Sequence, residues 1–293
     1  MKQKFKRIMA GFLAVLTMFT TLLSSGTTAM AASPSANIAF WHASTKDVGV
    51  VSELKAGYDH GKILYSVIDG NSAYCMNYGL AADGGQLMNS FANPSTSLTN
   101  AQEKQLAYCL YFGFNTNSAT APSNDQCDQY IATQAMVWAI VGNLFDTGSD
   151  DTAAKKLCDS APNPTASYNY YVALKNSMKA SYYATRPSFA SSSKSGATTY
   201  ELKWNDANQR FETTLTDGNG VLGNFDISLD GYSVEKSGNK VTIHTTKVNT
   251  NATTATMKST AGVVETTSSC VFWLTDKSGY QEFISEKPTV DPV

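Results

Sequence analysis

From Gln126 to Phe145 the chain is apolar almost all round: Ile131, Ala132, Ala135, Met136, Val137, Trp138, Ala139, Ile140 and Val141 leave no polar stripe for solvent. A helix of this kind is stable only inside a fold, so the rest of the chain has to build a shell around it. The 293 residues, 42% of them hydrophobic, include 13 Phe, 15 Tyr and 4 Trp, enough apolar area for one large domain or two small ones. Disorder over the whole length is therefore excluded. A formal charge of −2, with 16% charged residues and no basic run beyond residue 7, provides no electrostatic footprint for nucleic acid.

The first 31 residues read as a secretory signal peptide. Lys2, Lys4, Lys6 and Arg7 precede an apolar stretch from Ile8 to Leu23, and small residues lead to Ala29-Met30-Ala31, after which cleavage is expected. Gly11, Thr17, Thr20 and Thr21 interrupt that stretch, which is too short to span a bilayer, and no later run reaches spanning length. No membrane span is expected in the mature chain. Without the four leader cations, 18 Lys+Arg face 24 Asp+Glu, a net charge near −6. The end, Glu286 to Val293, carries no sorting or lipidation signal, so either the protein is released or this is the front piece of a longer surface protein, the reading that a Pro-containing, uncapped end favours.

After the leader, Ile38 to Tyr78 is strand-like, and Asp69-Gly70 is a hairpin turn between Ile63–Ile68 and Ser72–Met76. Asn100 to Phe114 predicts a helix capped by Thr99 or Asn100 and ending at Gly113. Further helices are expected over Gln126–Phe145, Thr152–Cys158 and Tyr170–Ser181. A Ser-rich linker at Ser191–Ser195, following Arg186-Pro187, separates residues 32–187 from a domain over 188–293. There, six short strands, Tyr200–Trp204, Phe211–Leu215, Phe225–Leu229, Val241–Thr246, Thr253–Met257 and Cys270–Thr275, predict a β-sandwich with Trp204, Phe272 and Trp273 in its core. Asp217-Gly218-Asn219-Gly220 resembles a calcium loop, but Val221 stands where an oxygen ligand is needed, so it reads as a turn.

The five cysteines, Cys75, Cys109, Cys127, Cys158 and Cys270, cannot all pair within one exported chain. They contain no Cys-x-x-Cys, and His42, His60 and His244 are scattered, so neither a metal site nor a cofactor is expected. The buried helix holds a second oddity. Gln134 lies among apolar residues, on the face shared by Ile131 and Trp138, and a buried carboxamide needs partners. It can hydrogen-bond a neighbouring strand. Alternatively, an unpaired thiolate can attack the carboxamide carbon and expel ammonia, leaving a Cys-Gln thioester that Trp138, at i+4, would shelter from water.

Tyr74-Cys75-Met76 at the end of a hairpin, followed by Thr133-Gln134-Ala135-Met136-Val137-Trp138 in a buried helix, resembles the thioester domain of Gram-positive surface adhesins over Ile38–Pro187. The resemblance implies an α+β thioester domain, a β-subdomain interleaved with a helical one, ahead of the all-β domain. It implies a Cys75-Gln134 cross-link at their junction, shielded and positioned by Tyr74, Met76, Thr133 and Trp138. It implies single use and no turnover: a lysine amine of a host surface or matrix protein, with a fibrinogen-like target among those expected, displaces Cys75 and forms a covalent amide. It also implies display on the cell wall, through a C-terminal region beyond this chain, in a role tied to virulence. Cys109, Cys127, Cys158 and Cys270 then have three possible complete pairings.

Two other classes stay open. Cys75 could be the nucleophile of an enzyme with His42 or His60 as base, although Asp59-His60-Gly61 reads as a turn. The chain could also be a non-covalent stalk or binding module. In the C-terminal part, Lys203, Lys236, Asp226 and Asn224 admit an internal isopeptide bond, but no spacing singles out a pair and solvated side chains are expected.

Overall fold

The computed structural model describes residues 14–19, 35–80, 87–91, 97–116, 118–189, 197–268, 270–274, 280–285 and 287–293, and the chain divides into two compact units. One comprises Ala184–Val264 with Met1–Gly26 and Pro292–Val293; the other comprises Thr27–Tyr183 and Glu265–Asp291.

In the first of these units, β1 (Ala14–Phe19), β8 (Ala197–Asn205), β9 (Arg210–Thr216), β12 (Lys240–Thr245) and β11 (Ser233–Ser237) form a sheet in the order β1-β8-β9-β12-β11. A separate ribbon pairs β10 (Phe225–Ser228) with β13 (Thr256–Ser259). Leu202, Phe211, Leu215, Val241 and Ile243 form the core with Leu222, Leu229 and Ala255, and Ile227 and Met257 of the ribbon pack against it. Both sheets thus share one apolar interior, the arrangement that the alternating pattern predicts. Asp217 closes its turn by accepting backbone N–H bonds from Ser188, Asn219, Val221 and Leu222. Lys236 donates to the Phe225 carbonyl at 2.6 Å and lies 3.6 Å from an exposed Asp226, while Lys203 and Asn224 are exposed. Of the expected leader, Ala14–Phe19 is the β1 edge strand beside β8; its basic start, the Ala31 cleavage site and the Ser191–Ser195 linker lie outside the described residues.

The other unit is a closed barrel joined to four helices. Its strands are β2 (Ser35–His42), β5 (Leu64–Ile68), β6 (Asn71–Cys75), β7 (Leu87–Phe91), β15 (Val271–Leu274) and β16 (Phe283–Ser285), in the order β15-β16-β6-β5-β2-β7, all pairs antiparallel. Between β2 and β5, β3 (Gly49–Val50) pairs with β4 (Asp59–His60). The β5–β6 turn has Asp69 at φ 49° and Gly70 at φ 82°, the two left-handed residues that a tight hairpin requires.

The helices are α1 (Asn100–Phe112), α2 (Asn124–Val141), α3 (Ser149–Cys158) and α4 (Pro164–Tyr182). Capping boxes begin two of them, Thr99 with Gln102 and Ser123 with Gln126. Ser123 sets the start of α2 two residues before Gln126, and the Gly142 N–H, turning back to the Trp138 carbonyl at 2.9 Å, ends it before Phe145. From Tyr130 to Ile140 every residue of α2 is buried. Among the described residues no helix is long and apolar enough to cross a membrane.

The domain expected over 188–293 is corrected by this topology. Between β14 (Val264–Thr266) and β17 (Val290–Pro292), which pair with each other, the chain returns to the barrel, and β15 and β16 complete it. Phe272 and Trp273 are accordingly buried in the barrel and not in the sandwich, and Trp204 is 37% exposed against Phe211. A short apolar strand reads the same in any sheet; only closure of the barrel decides its partners.

Asp150 ties the helices together. Its carboxylate accepts from the Asp146 and Gly148 N–H groups and from Tyr171, and meets Lys175 at 2.7 Å; Lys175 also reaches Asp151 at 2.8 Å. Burial raises the Asp150 pKa, but the bonds from Lys175 and the Asp146 N–H outweigh it and hold the carboxyl below its usual range. A depressed folded pKa stabilises above the unfolded value and loses that contribution as pH falls through the folded one. Lys175→Met is expected to cost about 3 kcal/mol at neutral pH and to flatten the acid-side fall in Tm, which calorimetry from about pH 7 down to pH 3 checks. A chain ended at Pro187 lacks two of the six barrel strands and is expected to lose cooperative thermal unfolding by circular dichroism.

Candidate functional site

The β5–β6 ladder stops early. Ile68↔Asn71, Val67↔Ser72 and Ser66↔Ala73 pair, but Cys75 pairs only with Phe283 on the other side. Two side chains of α2, one turn apart, enter the open seam. The Tyr130 hydroxyl accepts from the Ser66 N–H at 3.2 Å and donates to the Ala73 carbonyl at 2.6 Å. One turn on, the Gln134 carboxamide takes both backbone groups of Cys75: the Cys75 N–H donates to Gln134 Oε1 at 2.9 Å and Gln134 Nε2 donates to the Cys75 carbonyl at 2.7 Å. The buried carboxamide is therefore satisfied by a neighbouring strand, and the residue it binds there is the cysteine.

The flanking motif residues hold this register. Tyr74 donates its hydroxyl to the Phe114 carbonyl, and the Phe114 N–H donates to Thr133 Oγ1 at 3.0 Å, so the neighbours of Cys75 and Gln134 meet at one residue of the α1–α2 loop. Thr133 Oγ1 also donates to the Gln129 carbonyl at 3.0 Å. Gly113 makes the approach possible: a Cβ there would lie 2.5 Å from the Cys109 carbonyl and 2.6 Å from Thr133 Cγ2. The Tyr74 ring stacks on Tyr130 at 4.8 Å. On the opposite edge the Met76 N–H donates to the Glu282 carbonyl at 2.8 Å, and the Met76 side chain is fully buried.

Burial pushes the Cys75 thiol up to about 12. The thiol donates to the Asn77 carbonyl at 3.3 Å. Trp138 is 3% exposed, and its buried indole N–H has no hydrogen-bond partner among the described residues. The indole packs edge-on to Tyr78 at 5.1 Å and against His60 at 5.2 Å. A cavity of 230 Å³ opens beside them, lined by Cys75, Gln134, Trp138, His60, Lys62 and Tyr58, among others.

The structure thus gathers Tyr74, Cys75, Met76, Thr133, Gln134 and Trp138 into one place. His42 is exposed at the end of β2, away from the cavity lining, and His244 meets Glu235 on β11 at 2.9 Å. His60, read as a turn residue, lies in β4 and lines the cavity. Two contributors were not anticipated. Tyr130 stands at i−4 from Gln134, the spacing that singled out Trp138 on the other side; the Phe283 strand, more than 200 residues from Cys75, carries no local signal. All five cysteines have free, buried thiols.

A profile of the thioester domain family matches residues 72–181, a range that holds both Cys75 and Gln134. No curated protein matches the chain. Among solved structures, the thioester domain of the Staphylococcus aureus TIE protein is similar with 14% identity and a TM-score of 0.39, over 85% of this chain and 92% of that one.

Tyr130→Phe leaves the Ser66 N–H and the Ala73 carbonyl buried without their partner. It is expected to lower stability by about 1–3 kcal/mol, read as a fall in the urea midpoint at unchanged slope.

Proposed function

We propose, from the premise that residues 72–181 are a thioester domain, that Cys75 Sγ and Gln134 Cδ join on folding and that the resulting bond captures an amine of a partner protein. The observation that carries this reading is the two-sided hold of Cys75 on the Gln134 carboxamide. The Cys75 N–H lies where negative charge builds on Oε1 when sulfur attacks the carbon, as a donor in an oxyanion hole does. Attack expels Nε2 as ammonia and leaves an uncharged thioester.

A thiol with a pKa of about 12 is ionised to about one part in 10⁵ at pH 7. Effective molarities of about 10⁵–10⁸ M for well-oriented intramolecular reactions offset that scarcity. The same burial makes a thiolate costly and so favours the neutral thioester once formed.

A primary amine reaching Gln134 Cδ through the cavity forms an amide there and releases the Cys75 thiol. The acyl group stays on the partner, so the event is single-use acylation without turnover. A raised thiol pKa, the reverse of what an activated cysteine nucleophile needs, supports this reading over the enzyme one. The amine we assign is a lysine of a host surface or matrix protein, with the chain exported and displayed at the cell surface. Fresh, folded protein is expected to weigh one ammonia less than its sequence, with the deficit absent in Cys75→Ala and in Gln134→Ala. Full sequence mass in the wild type sinks the reading.

A further inference from the structure

Capture of an amine by a buried thioester has a proton problem. The attacking nitrogen must shed a proton as it becomes an amide, and the departing sulfur must gain one, because burial makes its thiolate costly. The 230 Å³ cavity beside Cys75 and Gln134 is where a side chain would have to move that proton.

One group in the lining is suited to it. His60 Nδ1 lies 3.0 Å from the Gly61 carbonyl, which only accepts, so Nδ1 carries the hydrogen in the neutral ring and Nε2 is the proton acceptor. Nε2 has no hydrogen-bond partner among the described residues. The ring packs with Tyr78, at 4.9 Å, and Trp138, at 5.2 Å, and all three line or flank the cavity that Cys75 and Gln134 share. β4 pairing with β3 holds its backbone in place. The other titratable groups around it are Asp59 and Lys62 on its own segment, Tyr58 in the same lining, Tyr78 against its face, and Cys75. A lysine ammonium has no lone pair to accept with, phenols are too weakly basic near neutrality, and a carboxylate holds a proton too weakly to take one from an amine; imidazole both takes and returns it.

Resting on the thioester reading, we infer that His60 is the proton carrier of amine capture: Nε2 takes the proton from the attacking amine and returns it to Cys75 Sγ as the carbon–sulfur bond breaks. The balance closes without a further reactant, since thioester and amine yield amide and thiol, and His60 ends as it began.

The test uses methylamine, followed by intact mass, with rates expressed per unprotonated amine. In wild-type protein that rate is expected to rise with pH as the ring nitrogen becomes free to accept a proton, and then level off. His60→Gln is expected to show the one-ammonia mass deficit, to react about 100-fold more slowly without that rise, and to regain rate on addition of free imidazole. A wild-type rate flat in pH overturns the inference, and so does a loaded His60→Gln that reacts at the wild-type rate. Should the variant not load, the wild-type pH profile decides alone. A wild-type protein without the mass deficit overturns the thioester reading itself, a different result from either of these.

Discussion

The Gln134 carboxamide replaces a stretch of β-ladder. Where β5 parts from β6, the N–H and carbonyl of Cys75 lose their strand partner, and buried backbone groups left open cost about as much as a lost hydrogen bond each. An amide side chain presents one donor and one acceptor at the spacing of a peptide, so Gln134 fills both vacancies. Tyr130 does the same for Ser66 and Ala73 one helical turn earlier. The register of α2 on the sheet is thereby fixed at two points, and the cavity is the space that the parted strands leave.

The rest of the barrel unit serves that register. The capping boxes set where α1 and α2 begin, Gly113 lets the loop between them pass close to Thr133, and the Phe114 backbone links Thr133 to Tyr74. From the other side, β16 holds β6 through Phe283↔Cys75 and the Met76–Glu282 bond. Cys75 therefore sits on an interior strand gripped by a segment from the far end of the chain, although the family match ends at residue 181. The cost of this placement is a thiol that resists ionisation.

Much of this architecture was legible locally. Apolar residues around the whole of α2 mark a buried helix; Thr99 marks the start of α1; Asp69-Gly70 marks a hairpin whose two left-handed residues the structure shows. These signals act over a few residues, where propensity and capping dominate. The strands after residue 264 were misassigned because Phe272-Trp273 and Phe283-Ile284 are equally apolar in any sheet, and His60 was discounted because Asp59-His60-Gly61 has turn composition while its pairing partner, Gly49, lies eleven residues earlier.

By itself, then, the sequence determined the buried helix, the hairpin and the sheltered carboxamide of Gln134, while the choice of Cys75 as its partner came from the resemblance of two short motifs to a known family. Periodicity and local hydrogen bonding encode these features within a turn or a strand. Only the tertiary structure decided that β5 and β6 part at Ser66, that Tyr130 and Gln134 occupy the gap, that β15 and β16 return to close the barrel, and that His60 faces the cavity. Each of these depends on hydrogen bonds between residues far apart in the chain, whose partners are chosen by closure of the sheet and exclusion of water and not by any neighbour in sequence.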